Sequence, residues 1–399
     1  MEAVEKTPYF LIDQEELDDN IRIFQTALKK YWPNSALSYS VKTNSLPWVL
    51  SHMRKRGVMA EVVSAEEFQL AILCGYKPEE MIFNGPIKEK TVFYKALEEG
   101  AVVNVDSEKE LDWLNQYSLK KCAKVGVRVN FDLSPYCAED LSYAEEGLRF
   151  GFSYENGELH RALKEIAKKH LAMPIGLHVH CNSNTRSLHF YRTMAKLTAR
   201  VIQETEVKVA YLDMGGGFFG GVPGKPTAEE YVGVIADELG NVVNKEEVPL
   251  YIEPGSALIA SPVSFVSSVI DAKEIHRGRI VTTDASRVML DPLWRKKSYL
   301  YQTLANADMP VYEGVQTICG YTCMEHDRIM HLKDKPLLQV GDKIIYQKVG
   351  GYTVTLGGPF IQYYPEVYVK SGEEYTLIRR RMDAEDYLRI HGVLGQEIL

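Results

Sequence analysis

Short apolar runs alternate with amphipathic stretches along the first two thirds of the chain, and the pattern repeats eight times. The runs are rich in β-branched and aliphatic residues, which predicts strands that are buried on both faces. They are Leu37–Lys42, Met59–Ser64, Met81–Gly85, Val102–Asp106, Lys124–Asn130, Ile175–His180, Val209–Met214 and Leu250–Glu253. Between them, helical patterns such as Ala65–Cys74, Glu89–Glu99 and Ala228–Leu239 supply the long crossovers that parallel strands need.

Eight strand–helix units in succession predict an α/β fold of the TIM (β/α)8 barrel type. An open doubly wound sheet is the alternative, but eight evenly spaced units are unusual for it. After residue 260, strand-like runs separated by Gly, Pro and Asp turns replace the repeat, and one helical pattern follows. These segments are Val263–Val269, Arg279–Thr283, Lys343–Tyr346, Tyr352–Leu356, Glu366–Lys370 and the helix Ala384–Ile390.

We therefore predict two domains. The barrel takes residues 27–260. Residues 1–26 and 261–399 form a mainly β domain that includes the N-terminal strand Tyr9–Ile12 and contributes to the active site and to a dimer.

The composition narrows the class of protein. With 45% hydrophobic and 25% charged residues the chain is an ordinary globular protein, and its net charge of −8 argues against nucleic-acid binding. The N-terminus lacks the basic and apolar regions of a signal peptide, and no apolar run approaches the ~18 residues of a membrane span. The six cysteines are scattered, so we expect reduced thiols in a cytoplasmic protein.

In a TIM barrel, functional side chains lie where the strands end. Here those positions are Lys42, Glu61–Ser64, Gly85, Asp106, Arg128–Asn130, His178, His180, Asp213, Gly215–Gly217 and Glu253–Gly255. Lys42 is either a surface lysine or an amine that forms a Schiff base with an aldehyde cofactor. The glycine triplet either cradles a phosphate or makes a plain tight turn. No third ligand accompanies His178 and His180 in the sequence, so we expect no metal but a ring stacked on a flat cofactor.

Motifs from Thr7-Pro8-Tyr9 through Gly350-Gly351-Tyr352 make a family resemblance specific by their order and spacing. The chain resembles the fold-type III decarboxylases that depend on pyridoxal 5'-phosphate (PLP), the group of diaminopimelate, ornithine and arginine decarboxylases, which share their barrel with alanine racemase. The resemblance implies PLP-dependent decarboxylation of an amino acid by a homodimer with shared active sites.

The resemblance assigns roles to residues near the cofactor. Lys42 would hold PLP covalently, with the acidic Glu61 and Glu67 nearby, and His180 would stack on the pyridine ring. Glu253 would pair with the pyridine nitrogen, where a carboxylate keeps that nitrogen protonated and strengthens the electron sink. The other cofactor-binding residues, mainly at the phosphate, would be Ser183, Gly215, Gly216, Gly217, Gly255 and Tyr352.

Cys323 matches the cysteine that returns a proton to the substrate and reaches in from the partner subunit, as a positioned general acid. The alternative is a small buried apolar residue, which is where free cysteines usually lie. If the cysteine does come from the partner, the enzyme is an obligate dimer.

Several positions depart from the family's pattern. Ser256 stands where the family has an arginine that helps to hold the phosphate. Asp291–Trp294 replaces an arginine-containing motif that diaminopimelate decarboxylases use for the distal carboxyl end. Arg295 stands where ornithine decarboxylases hold a distal ammonium with an acid, and like charges repel. Met324 replaces the acid that usually follows the cysteine. The predicted substrate-binding residues are Arg295, Met324, Glu325 and Asp327.

These departures argue against lysine, ornithine, arginine and meso-diaminopimelate as natural substrates. We expect a side chain that ends in a neutral, apolar or anionic group, or an amino acid within a larger biosynthetic intermediate. Arg295 pointing to solvent from a basic loop is the competing interpretation. Two other functions stay open, a racemase and a non-catalytic relative that acts through protein binding.

Overall fold

The computed structural model describes residues 6–118, 123–170, 173–205, 207–304 and 309–392. The chain divides into two compact units, Asp18–Leu258 and the combination of Met1–Leu17 with Ile259–Leu399. The strand β1 (Tyr9–Asp13) continues directly into the helix α1 (Gln14–Tyr31), and the boundary between the units falls within that helix. The domain bounds drawn from the sequence, and the roles given to each domain, stay predictions.

The unit Asp18–Leu258 is a closed barrel of eight parallel strands. Successive strands pair in parallel, and the last strand pairs with the first, which closes the sheet. The barrel strands are β2 (Ser35–Ser40), β3 (Met59–Val62), β4 (Met81–Phe83), β5 (Val102–Val105), β6 (Lys124–Asn130), β8 (Ile175–Val179), β9 (Val209–Asp213) and β10 (Leu250–Ile252), and a short β7 (Phe152–Ser153) pairs with the end of β6. The predicted TIM barrel is confirmed, although most strands end one or two residues before the sequence pattern does.

Helices connect these strands, and serine caps fix where two of them begin. Ser64 Oγ accepts a hydrogen bond from Glu67 N, and Ser107 Oγ accepts one from Glu110 N, two residues after β3 and β5 end. Such short turns hold the strand-end side chains in place. The helices are α2 (Pro47–Lys55), α3 (Ala65–Leu73), α4 (Lys90–Glu98), α5 (Glu108–Gln116), α6 (Ser134–Cys137), α7 (Glu158–Lys169), α8 (Leu188–Thr205), α9 (Ala228–Leu239) and α10 (Ser256–Ile259).

The barrel interior contains a large aromatic side chain opposite two glycines. A Cβ atom at Gly176 would lie 2.1 Å from the ring of Tyr211, and one at Gly126 would lie 2.3 Å from its hydroxyl oxygen. That hydroxyl donates to Asn104 Oδ1 at 2.7 Å. The two glycines therefore make the room in which Tyr211 supports a buried polar chain.

The second unit is mainly β, as predicted, and β1 lies inside its sheet. β1 pairs antiparallel with β11 and parallel with β17. The other elements are β11 (Val263–Ile275), β12 (Gly278–Thr283), β13 (Leu300–Leu304), β14 (Val315–Cys319), β15 (Arg328–Lys333), β16 (Lys343–Gln347), β17 (Glu366–Ser371) and β18 (Glu374–Arg379), with the helices α11 (Arg287–Leu290) and α12 (Ala384–His391).

Two details of this unit differ from the sequence pattern. Tyr352–Leu356, predicted as a strand, is a turn, and Tyr352 has a φ of 62°, which a strand does not contain. The pattern also missed β13, β14, β15 and β18. Exposed positions run through β13 and β18, and they dilute the hydrophobic signal on which strand prediction depends.

The structure also bears on the membrane spans and on the cysteines. None of the described helices has the length and apolar character that crossing a membrane requires. Among the described residues, Cys74, Cys137, Cys181, Cys319 and Cys323 are free thiols, and Cys122 lies outside the described residues.

We expect Gly176→Ala to lower the stability of the barrel by about 1–3 kcal/mol, the usual cost of adding a methyl group to a filled interior. The new Cβ overlaps the Tyr211 ring, so the ring or the strand must shift. Thermal unfolding followed by circular dichroism measures the loss. Gly358→Ala is the control, because nothing lies within 4 Å of a Cβ added there. Equal melting temperatures for Gly176→Ala and the wild type would contradict the packing argument.

Candidate active site

Lys42 lies at the border between solvent and a buried carboxylate. It belongs to a 3₁₀ turn, Val41–Thr43, that follows β2, and not to the strand end that the sequence pattern indicated. Its Nζ is 2.7 Å from Glu61 Oε2 and 2.7 Å from Ser40 Oγ. The Lys42 side chain is 39% exposed and that of Glu61 only 2%. Burial alone would raise the pKa of Glu61, but the Lys42 charge and hydrogen bonds outweigh it and lower that pKa.

Asn84, directly after β4, joins this ion pair to a second carboxyl group. Its Nδ2 is 3.2 Å from Glu61 Oε1 and 2.7 Å from Glu253 Oε1. Asn104 Nδ2 donates to Asn84 Oδ1 at 2.8 Å and contacts Asp213 Oδ2 at 3.2 Å. A polar chain thus runs through the barrel from Tyr211 to Lys42. Neither asparagine was among the predicted site residues, although each lies in a predicted strand run where a polar residue is unusual.

Glu253 and Asp213 form a buried carboxyl pair. Their carboxylate oxygens lie within 4.8 Å of each other, and two like charges buried so close together favour a proton on one of them. Burial and the neighbouring carboxylates raise the pKa of Glu253 well above its usual value. Burial raises the pKa of Asp213 from 3.8 to about 7.

His178 lies beside this carboxyl pair. Its Nε2 is 3.7 Å from Glu253 Oε2, and neither of its ring nitrogens has a hydrogen-bond partner among the described residues. Burial, with the nearby Arg128, holds the pKa of His178 well below its usual value. The ligand atoms of His178, Asp213 and Glu253 all lie within 4.8 Å of one another, a set of possible metal ligands that the sequence did not reveal.

The glycine triplet packs against His180 and Glu253. A Cβ at Gly215 would lie 2.6 Å from His180 Nδ1, and one at Gly216 would lie 2.2 Å from the Glu253 carbonyl oxygen. Gly215 N donates to Asp213 Oδ1 at 3.0 Å, and Gly216 N donates to His180 Nδ1 at 3.2 Å. Burial, with Arg128 and Lys42, lowers the pKa of His180 to about 3. The neutral ring therefore accepts at Nδ1.

Two further predicted residues lie in the same unit. Gly255 packs on Thr43, the neighbour of Lys42, so closely that a Cβ would lie 2.0 Å from Thr43 Oγ1. Ser183 is buried, donates to Asp140 Oδ1, and accepts a hydrogen bond from Arg186 N at 2.7 Å. The structure thus brings Lys42, Glu61, His180, Ser183, Glu253 and the four glycines into the barrel unit.

The other predicted residues belong to the β unit. Cys323 is exposed, so the interpretation of it as a buried apolar residue is wrong. Asp327 is buried, and its carboxylate accepts hydrogen bonds from Arg287 N at 3.0 Å and Thr322 Oγ1 at 2.7 Å. Asp327 therefore orders the loop that carries Cys323. Glu325, Arg295 and Tyr352 are exposed, and the contacts of all these residues with substrate or cofactor stay predictions.

Met324 lines an open cavity of about 340 Å³ on the surface of the β unit. The ring of Trp294 lies 4.8 Å from that of His326, and the Arg287 guanidinium lies 4.9 Å from the Trp294 ring centroid. Arg287 is also paired with Asp291 at 2.6 Å. Trp294, in the motif that departs from the family's pattern, therefore forms an aromatic side of the cavity together with His326. The cavity is lined by Val288, Trp294, Met324, His326 and Phe360.

We expect the apoprotein to lose stability as the pH rises from about 4 to about 7. The pKa of Asp213 is raised to about 7 in the folded chain, so over that window the folded state binds more protons than the unfolded state. The stabilisation is complete at low pH and disappears as the pH passes the folded-state pKa. Urea unfolding at several pH values measures it, and Asp213→Asn should flatten the dependence. Asp237→Asn, at an exposed position, is the control, and an unchanged slope in Asp213→Asn would refute the assignment.

Comparison with known proteins agrees with this geometry. Residues 17–260 match the family model described as pyridoxal-dependent decarboxylase, pyridoxal binding domain. The chain is 26% identical over 403 residues to the probable chloroplastic diaminopimelate decarboxylase of Oryza sativa subsp. japonica, across 98% of this chain and 80% of the rice protein.

Two solved structures share the fold. Diaminopimelate decarboxylase from Helicobacter pylori, complexed with L-lysine, has a TM-score of 0.81 at 22% identity and covers 97% of both chains. The Paramecium bursaria Chlorella virus arginine decarboxylase has a TM-score of 0.77 at 21% identity, over 92% of this chain and 96% of the viral one. Enzymes named for different substrates are thus similar to this chain to nearly the same degree. The family match, over well above half of the sequence, confirms the resemblance, and the chain belongs to the PLP-dependent decarboxylases, carboxy-lyases of the diaminopimelate, ornithine and arginine decarboxylase family.

Proposed function

We propose that the protein decarboxylates an amino acid whose side chain ends in a neutral or apolar group, either free or within a larger intermediate. The observation that carries this proposal is the cavity beside Cys323, whose lining residues include no carboxylate. An ammonium placed against Trp294, Met324 and Phe360 would meet apolar surface and gain no counter-charge from the lining residues. An apolar or aromatic end group would instead bury its own surface there.

The barrel residues fit PLP. The pKa of Glu253 is raised, and the ring nitrogens of the neighbouring His178 have no hydrogen-bond partner among the described residues. Polar atoms that can still form hydrogen bonds there suit a pyridine nitrogen. Gly215 and Gly217 adopt φ values of 59° and 90°, and a side chain at Gly215 or Gly216 would collide with its neighbours. When bound, PLP supplies an electron-withdrawing ring that weakens the bond from Cα to the carboxylate.

The chain's own residues then have distinct tasks. Lys42 Nζ would hold the cofactor covalently, and Glu61, at 2.7 Å, holds that amine in position. Asn84 and Asp213 orient the Glu253 carboxyl, which would hold a proton against the ring nitrogen of the cofactor. The Cys323 thiol delivers a proton to Cα, so that a C–H bond replaces the C–C bond lost with CO₂.

We also propose that Cys323 acts in the barrel of a partner subunit within a homodimer. Its exposure supports this, because a thiol that serves another chain must be accessible on its own. Asp327 and Thr322 hold its loop in place, which gives a positioned donor without burying the thiol.

We expect Lys42→Ala and Cys323→Ala each to abolish CO₂ release, and an equimolar mixture allowed to exchange subunits to regain about a quarter of the wild-type rate. Half of the dimers in a random mixture are mixed, and each mixed dimer holds one intact site if the sites are shared. Radiolabelled CO₂ release measures the recovery. Cys74→Ala, in place of Cys323→Ala, is the control and should be active by itself. No recovery from a mixture shown to contain mixed dimers would mean that each site is built from one chain.

We expect the wild type to release CO₂ from amino acids with apolar or aromatic side chains faster than from L-lysine, L-ornithine, L-arginine or meso-diaminopimelate. Met324→Glu places a carboxylate in the cavity and should raise kcat/KM for L-lysine about tenfold or more, as a charge-assisted hydrogen bond allows. Leu293→Glu adds the same charge at an exposed position outside the cavity lining, as the control. Fast turnover of lysine or ornithine by the wild type would defeat the substrate proposal. Racemisation without CO₂ release would identify a racemase.

A further inference from the structure

Two cations of the barrel unit converge on one aromatic ring. The Arg186 guanidinium lies 5.0 Å, and Lys225 Nζ lies 5.3 Å, from the centroid of Phe219. In the part of the chain that the structure describes, neither cation forms an ion pair with a carboxylate. A phosphate that reached both side chains would gain a charge-assisted interaction from each of them.

The ring that holds the two cations follows the glycine triplet. Phe219 is two residues after Gly217, a distance of at most about 7 Å along the chain. The triplet offers fewer free donors than its sequence suggests, because the N–H groups of Gly215 and Gly216 already bind Asp213 and His180. A phosphate at the triplet therefore requires positive charge from elsewhere.

The backbone of Arg186 is held in a conformation that non-glycine residues rarely adopt. Its φ is 52°, in the left-handed region where a side chain is strained. Two hydrogen bonds keep it there, from Arg186 N to Ser183 Oγ and from Tyr231 OH to Arg186 O, both at 2.7 Å. Ser183 is itself fixed by the buried Asp140. A strained backbone that several hydrogen bonds maintain is typical of a residue whose side-chain orientation matters for function.

An aromatic cluster ties the Arg186 loop to the triplet. Tyr191 OH donates to Gly216 O at 3.0 Å, and the Tyr191 ring stacks on Phe218 at 4.7 Å. Phe218 in turn contacts Tyr231 at 5.0 Å, and Tyr231 holds the Arg186 carbonyl. The guanidinium and the triplet are thus parts of one packed assembly, so the site is organised before an anion binds.

We propose that Arg186, assisted by Lys225, binds the phosphate of the cofactor and supplies the charge that an arginine at position 256 would give. The inference rests on the proposed function, because the phosphate is that of PLP. It also gives Ser183 a specific task, which is to orient Arg186.

Comparison of PLP with pyridoxal, which lacks the phosphate, tests this role directly. Apoprotein is titrated with each compound, and the dissociation constants are read from the absorbance of the bound form. Arg186→Gln should weaken PLP binding about 10- to 100-fold, as expected for a lost charge-assisted hydrogen bond, and change pyridoxal binding less than about twofold. Lys225→Gln should have the same selectivity with a smaller effect.

Arg192→Gln is the matched control, because Arg192 is already paired with Glu238 at 2.9 Å. It should leave both dissociation constants unchanged. Arg186→Lys, which keeps the charge, should recover part of the PLP affinity. Equal losses for PLP and pyridoxal in Arg186→Gln, or no loss for PLP, would overturn the proposal. If the wild type bound neither compound at Lys42, the proposed function would fail first and the inference with it.

Discussion

Burial of three carboxyl groups inside one barrel is the constraint on which the site depends. Glu61, Asp213 and Glu253 are almost fully shielded from water, and three uncompensated negative charges there would repel one another strongly. The chain resolves this in three ways: a cation from Lys42 at Glu61, a proton shared by Asp213 and Glu253, and amide donors between them. The position of Lys42 and the protonation of Glu253 are therefore parts of one electrostatic arrangement.

Asn84 connects the Lys42–Glu61 ion pair to the Glu253 carboxyl. One amide nitrogen serves Glu61 and Glu253 at once, and its carbonyl oxygen is held by Asn104. A change of charge at Lys42 therefore alters the hydrogen bonding of the Glu253 carboxyl without any large movement of the backbone. The reason is that hydrogen bonds in a dry interior polarise one another. The barrel's glycines at 126 and 176 extend this network by admitting Tyr211 beneath it.

Local sequence patterns predicted the barrel because its strands are buried on both faces and read as continuous apolar runs. The same logic placed Lys42, His180 and Glu253 at strand ends. The contacts of Asn84 and Asn104 escaped it, since Asn84 meets Glu253 across 169 residues and Asn104 meets Asp213 across 109. No local pattern carries such information. The strand prediction at Tyr352–Leu356 was wrong for a different reason. β-branched and aromatic residues favour a strand, but strand propensity depends on tertiary context, and the φ of Tyr352 is incompatible with a strand.

The position of β1 in its sheet has a consequence for synthesis of the chain. β1 is made first, yet its partners begin at Val263 and Glu366. At roughly 5–20 residues per second, the second partner leaves the ribosome about 20–70 s after β1. Both edges of the apolar strand Tyr9–Asp13 are open until β11 emerges, and one edge stays open until β17 follows. Open strand edges promote aggregation of nascent chains. The contiguous barrel can form in the meantime, so the N-terminal strand is the segment that most needs shelter by a chaperone during translation.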